Sequence, residues 1–338
     1  MDFYRELNDI MTCDMGGRGL HLPMPDLQAV ARTLLSARRV LILTGFPVLA
    51  ADGTFRGETD GPSGAAEIAC VLARLGIPVT LATDGLNLPL VRAAVSAFAE
   101  AASVPVVDAV PAAAVVPASY IAAGTLPAPS APESSQNGPF TDYSQLDSPN
   151  FVEILEIPAQ NPDDFAKNLL KSRDFSHLIS LERPGKAADG HFHSMKGRIL
   201  DPYLTDTDPI FSQFPGVTIS VGDGGNELGM GKYFEKIAKS VPFGEKIAAK
   251  CAADHVLCAG VSNWWGPGLA ALLSFAAACD LLAASETEAR ALQGVLAAGG
   301  VDGCTGKCEL SVDGLPLEVN LERRALVRAL LAKYLPRA

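Results

Sequence analysis

The stretch RVLILTG (residues 39–45) decides the fold. It is short, almost wholly apolar and closed by a glycine, as a strand buried on both faces reads. Upstream, residues 26–39 place Leu27, Val30, Ala31, Leu34 and Leu35 on one side of a helix. Downstream, residues 62–75 read as a second helix, with Pro62 suited to its first turn. Gly76 punctuates it, PVTLATD (78–84) is the next strand, and a helix over 89–101 precedes VPVVDAV (104–110). Strand, helix and strand at this spacing predict a parallel sheet with right-handed crossovers.

Residues 111–150 break the pattern with a run rich in Ala, Pro and Ser, which predicts an insertion or lid packed over the site. The alternation then resumes. Strands are expected at 151–157, 177–182, 217–223 and 255–260, and helices at 162–171, 226–239, 268–282, 286–298 and 321–334. No repeat of fixed period appears. No linker separates complete sheets, so a single composite α/β domain over 1–338 is expected. Its architecture is a three-layer, mainly parallel, Rossmann-like sheet with helices on both faces.

Hydrophobic residues are 48% and charged residues 19% of the chain, enough for a large core and too apolar for disorder. With 27 basic against 38 acidic residues the net charge is −11, which argues against broad nucleic-acid binding. A small anionic substrate is still admissible, because one local cationic pocket suffices. The 7 cysteines are odd in number and scattered, which fits small hydrophobes in a reducing compartment rather than a disulfide framework. The opening residues carry acids early and lack the apolar core of a signal peptide or the arginines of a transit peptide. The greasiest run, 269–284, is interrupted by Ser274 and Asp280 and is short for a membrane span. A cytoplasmic protein with no membrane partner, able to form a homo-oligomer, is the expectation.

Polar residues gather where the expected strands end, which is where ligands bind in open α/β sheets. If those strands are parallel neighbours, Glu58, Asp60, Asp84, Glu182, Asp223, Glu227 and Asn263 surround one crevice. ETDGPSGA (58–65) opens a helix whose amides favour an anion, with helix capping by Thr59 or Asp60 as the alternative reading of that turn. GDGGNELGMG (222–231) combines close-approach glycines with Asp223, Asn226 and Glu227; it matches neither the dinucleotide fingerprint nor a P-loop, so no nucleotide cofactor is expected. In LERPGKAADGHFHSMKGR (181–198), Arg183 directly follows a strand and suits a carboxylate. His191 and His193 there read as hairpin residues rather than metal ligands. In SNWWGPG (262–268), Asn263 is a hydrogen-bond donor, and the tryptophans are pocket wall or core. Cys304 and Cys308 have no second pair to complete a zinc site.

Taken together, LTGFP, ETDGPSGA, LATD, LERPGKAADGHFHSMKGR, VGDGGNELGMG and AGVSNWWG resemble the D-glutamate cyclase family over residues 43–266. The resemblance implies conversion of D-glutamate to 5-oxo-D-proline and water. The roles expected from that chemistry are as follows. Glu182, Asp223 and Glu227 are the candidate acids and bases. Arg56 or Arg183 holds the α-carboxylate, and Asn226 and Asn263 add hydrogen bonds. The amides of Gly224 and Gly225 face an oxyanion. In the alternative route a divalent cation, Mg or Mn, held by Asp60, Asp84 and Asp223 polarises the carboxyl group. The alternative is a non-catalytic module that binds an amino acid or nucleotide in the same crevice.

Overall fold

The computed structural model describes residues 2–109 and 150–335, so the expected insertion lies outside them apart from Asn150. In chain order the elements are α1 (Phe3–Met11), α2 (Leu27–Leu35), β1 (Val40–Thr44), the hairpin β2 (Pro47–Leu49) and β3 (Phe55–Gly57), α3 (Pro62–Arg74), β4 (Val79–Asp84) and α4 (Leu88–Ala102). There follow β5 (Val106–Asp108), β6 (Val152–Ile157), α5 (Pro162–Ser172), β7 (His177–Leu181), α6 (Asp208–Ser212), β8 (Val217–Gly222), α7 (Phe234–Ser240) and α8 (Gly244–Ile247). The chain closes with β9 (His255–Cys258), α9 (Trp265–Ala277), α10 (Ser285–Ala297), the hairpin β10 (Ser311–Val312) and β11 (Leu315–Pro316), and α11 (Leu317–Tyr334).

The main sheet has 7 strands in the order β5-β6-β4-β1-β7-β8-β9, and each neighbouring pair is parallel. Strand β1 shows why both faces must be covered. Val40 and Ile42 enter one core, with α1, α2, α3, α4, α9, α10 and α11; Leu41 and Leu43 enter the other, with α5, α6, α7 and α8. Alternate side chains point to opposite faces, so an unbroken apolar strand needs helices on both sides. The result is the three-layer α/β architecture expected.

Helix α9 is buried over its whole first ten residues, Trp265 to Ser274, which explains the greasy run in the sequence. It is apolar all round because it packs beneath α1, α2, α3 and α11. Among the described residues, no helix is long and apolar enough to cross a membrane.

Topology sets the site. From β1 the chain adds β4, β6 and β5 on one side, then returns to add β7, β8 and β9 on the other. The reversal falls between β1 and β7, and the loops leaving their carboxyl ends diverge to open a crevice. One element departs from expectation. The helix predicted over 226–239 begins only at Phe234, because Gly225 and Gly229 adopt φ of 90° and 98° and turn the chain inward. The hairpins β2–β3 and β10–β11 were not legible as strands, being 2 or 3 residues per arm.

Candidate active site

Three buried carboxylates meet at the switch point. Asp60, Glu182 and Asp223 offer oxygens that all lie within 4.8 Å of one another. Each arrives from a different loop. Asp60 follows the β2–β3 hairpin, Glu182 is the first residue after β7, and Asp223 the first after β8. Glu182 has φ of 45°, a left-handed conformation uncommon for a residue with a Cβ, and one that concentrates at functional sites. The crossing is tight: a Cβ on Gly61, whose φ is 101°, would stand 2.9 Å from Thr44 Oγ1 and 3.0 Å from Glu182 Cβ.

The three acids differ in what holds them. Asp60 Oδ1 accepts from the amides of Gly61 (3.0 Å) and Asn263 (2.7 Å), and Oδ2 from Ser262 N (3.0 Å). Asp223 Oδ1 accepts from the Arg18 guanidinium, while its buried Oδ2 has no hydrogen-bond partner. Glu182 Oε2 is buried and likewise without a partner. Arg18 also pairs with Asp313 at 2.5 Å, and Glu58 is buried beside the group. Five carboxylates therefore surround one guanidinium.

That charge balance shapes the titration. Burial pushes the Glu182 carboxyl well above its ordinary range, and the charges of Glu227, Asp60 and Asp313 add to it. Burial raises Glu58 in the same way, reinforced by Glu182 and Asp313. Asp60 is pushed up to about 8 by burial and by Asp313, against its backbone donors and Arg18. Asp223 is raised by burial too, but Arg18 pulls against that rise more strongly than any single neighbour supports it. Protonated and ionised carboxyls side by side are the means for acid and base chemistry in one site.

Several residues expected to work on substrate are committed to the scaffold instead. Glu227 accepts the amides of Asp223 (2.9 Å), Gly224 (2.7 Å) and Gly225 (2.6 Å). It thereby builds the turn that presents Asp223, and it takes up the Gly224 and Gly225 amides assigned to an oxyanion. Arg183 and Asp84 form a buried ion pair, and Asp84 Oδ1 also accepts Thr205 N at 2.8 Å. The Arg183 guanidinium further donates to Thr205 O at 2.6 Å and to Thr207 Oγ1 at 3.2 Å. Asp84 is thus replaced by Glu182 in the acidic triad, and Arg183 has little left to offer a ligand. Asn263 accepts the amides of Gly61 (2.9 Å) and Gly64 (2.8 Å) and donates to Thr59 O, so it ties the start of α3 to the loop after β9. Arg56 sits on β3 and pairs with Asp52 at 2.5 Å, outside the cavity lining. The tryptophans are core: Trp264 Nε1 donates to Asn320 and Trp265 Nε1 to Cys258 O. Both histidines of the 181–198 loop are taken by aspartates, His191 by Asp201 and His193 by Asp189.

A cavity of about 330 Å³ opens above the acids. Phe46, Val48, Phe55 and Leu200 give it an apolar wall; Arg18, Glu58, Glu182 and Asp313 line its acidic side; Asn226, Lys196 and Arg198 line it from the other loops. Asn226 Nδ2 donates to His193 O at 2.8 Å, fixing the 181–198 loop over the site. Arg18 and Asp313 had no signal in the sequence: Arg18 lies in the loop before α2 and Asp313 in the turn of the short β10–β11 hairpin, neither at the end of an expected strand, and only the fold brings them to the site. Asp302 positions the second of these. It accepts Cys304 N, Thr305 N, Ser311 Oγ and Gly314 N, and so shapes the hairpin that carries Asp313.

The oxygen-only donor set, with partnerless oxygens on Glu182 and Asp223, is of the kind that suits Mg or Mn.

The chain has known relatives. Residues 7–329 match the family described as D-glutamate cyclase-like, C-terminal. The human protein named D-glutamate cyclase, mitochondrial, is 30% identical over 285 residues, a match covering 81% of this chain and 39% of the human protein. This chain therefore belongs to the D-glutamate cyclase-like, C-terminal family.

Proposed function

We propose that this protein cyclises D-glutamate to 5-oxo-D-proline with release of water. The observation that carries this reading is the meeting of Asp60, Glu182 and Asp223, two of them with partnerless buried oxygens, beside a cavity of small-molecule size. Membership of the family supports D-glutamate as the substrate.

The reaction needs a free amine, a γ-carboxyl made electrophilic, and an oxygen that leaves as water. Asp223, held toward its ionised form by Arg18, takes a proton from the substrate ammonium. The amine attacks the γ-carboxyl carbon and the new C–N bond closes the five-membered ring. Glu182, kept protonated by burial, donates to the departing oxygen. The departing oxygen takes its second proton from Asp223, and the second proton lost by the nitrogen returns Glu182 to its acid form, so two protons leave nitrogen, two leave in water and no net proton is exchanged. The apolar wall holds the chain of the substrate folded, and orientation of this kind can contribute about 7–11 kcal/mol. Where Glu182 is instead ionised, Asp60, Glu182 and Asp223 would hold a divalent cation, Mg or Mn, which would neutralise the γ-carboxylate in place of the Glu182 proton.

The test is proton NMR of D-glutamate with wild-type protein and with Glu182→Gln, with Mg or Mn supplied. Wild type should give 5-oxo-D-proline, and the variant should be slower by about 10²–10⁴-fold with its fold intact. Equal rates would remove Glu182 from the chemistry. Broadening of water-proton relaxation on titrating Mn into wild type, lost in Glu182→Gln, would support the cation separately from turnover.

A further inference from the structure

We infer that Lys196 and Arg198 anchor the α-carboxylate of the substrate, so that the protein requires that carboxylate to be free. The inference rests on the cyclisation proposed above and adds the residues that select the substrate.

The argument begins with charge. Both substrate and product carry the α-carboxylate, whereas the γ-carboxyl is consumed. The side of the cavity beside the reacting atoms carries Glu58, Glu182 and Asp313, and Asp223 is paired with the lining residue Arg18. The γ-carboxyl must face those acids to react, so the α-carboxylate at the other end of the substrate points away from them. Among the described residues, the cations lining the cavity are Arg18, Lys196 and Arg198. Arg18 is spent on Asp223 and Asp313. Lys196 and Arg198 enter no ion pair among the described residues.

The backbone fixes where these two side chains start. Ser194 N donates to Arg198 O at 2.9 Å and Gly197 N to Ser194 O at 2.8 Å, closing a tight turn. Gly197 takes φ of 69° within it, and His193 pairs with Ile199 at its base. Asn226 clamps this hairpin to the loop that carries Asp223 through His193 O. A Cβ on Gly197 would lie 3.5 Å from Lys246 Nζ, so a third cation backs the turn. The rim is thus cationic, rigidly based and opposed to an acidic interior, as a zwitterionic dicarboxylate requires.

An anchor on a group unchanged by the reaction binds ground state and transition state alike. Its loss therefore appears in KM rather than kcat. The variant to make is Lys196→Ala/Arg198→Ala, with Lys196→Arg as the conservative control. Two readouts are needed. The first is kinetic, with D-glutamate and with its α-amide, which keeps the amine and the γ-carboxyl. The second is binding of 5-oxo-D-proline and of 5-oxo-D-prolinamide, followed by saturation-transfer NMR.

Wild type should favour the acid over the amide by about tenfold or more in both readouts. The double variant should lose that preference and raise KM for D-glutamate about tenfold or more, with kcat changed about threefold or less, and Lys196→Arg should retain the preference. A double variant that keeps the wild-type KM and the preference for the acid overturns the anchor. If wild type forms no product yet prefers the acid, and the double variant loses that preference, cyclisation fails and the anchor stands. If wild type neither turns over D-glutamate nor binds the acid better than the amide, both fail. Both side chains are exposed, so the fold should tolerate their removal, and an unchanged Tm checks this.

Discussion

At the scale of single residues, the account depends on carboxyl groups of one chemical type doing different work. Their surroundings separate them. Asp223 has a guanidinium on one oxygen; Glu182 has nothing on Oε2. Asp223 must be ionised to act, so activity should fall as pH drops through its pKa. Arg18→Gln removes the cation that lowers that pKa. The acidic limb of the kcat/KM profile should therefore move to higher pH in the variant. A limb that stays in place or moves to lower pH would mean that Asp223 is not the base. The residue scale is also where the sequence was least legible. Asp60, Glu182 and Asp223 follow strands or open a helix, so the strand-end rule finds them. Arg183 and Asp84 obey the same rule and yet satisfy one another, because the rule reports position and not partnership. Arg18 and Asp313 obey no local rule at all.

At the scale of elements, the loops after β7, β8 and β9 are held in place by side chains whose polar atoms are bonded within the protein. Glu227 is the clearest case, with three backbone amides on one carboxylate. Glu227→Gln offers an NH₂ where an acceptor is needed, and leaving a buried donor unmet costs about 1–3 kcal/mol. It should lower stability by that order and lower turnover as well, through misplacement of Asp223. Chemical denaturation alongside kinetics checks this; loss of activity with unchanged stability would place Glu227 in the chemistry instead. Arg183→Met strands Asp84 as a buried charge, and breaking such a pair costs about 3–5 kcal/mol. A shift in the urea midpoint with unchanged m-value is the expected signature, and an unshifted midpoint would contradict the buried pair. Strands were legible because period 2 burial on both faces forces an apolar run. The 226–233 segment was not, because glycine spacing there resembles a helix start while positive φ turns it into a loop.

At the scale of the whole molecule, one sheet reversal gathers acids from loops far apart in sequence, and the cost is a buried cluster of like charge. Glu58, Asp60, Glu182 and Asp223 all have raised pKa values in the folded protein, above an unfolded value of about 4. The folded state then binds more protons than the unfolded state over that window. The cluster's contribution to stability is complete below about pH 4 and is lost as pH rises, through about 8 in the case of Asp60. Unfolding free energy from urea titrations should accordingly fall between pH 5.5 and pH 8, and Glu58→Gln should flatten the slope. A rise over that interval would show that the cluster is not protonated on folding. A divalent cation present at about a hundred times its Kd should restore about 2.7 kcal/mol at the alkaline end.

The central claim is that this acid cluster closes D-glutamate into a lactam, and the most direct test is proton NMR of folded wild-type protein with D-glutamate and Mg or Mn. The account predicts 5-oxo-D-proline in the wild-type sample and its loss in Asp223→Asn at equal Tm. Folded, cation-supplied wild-type protein that leaves D-glutamate unchanged would contradict it.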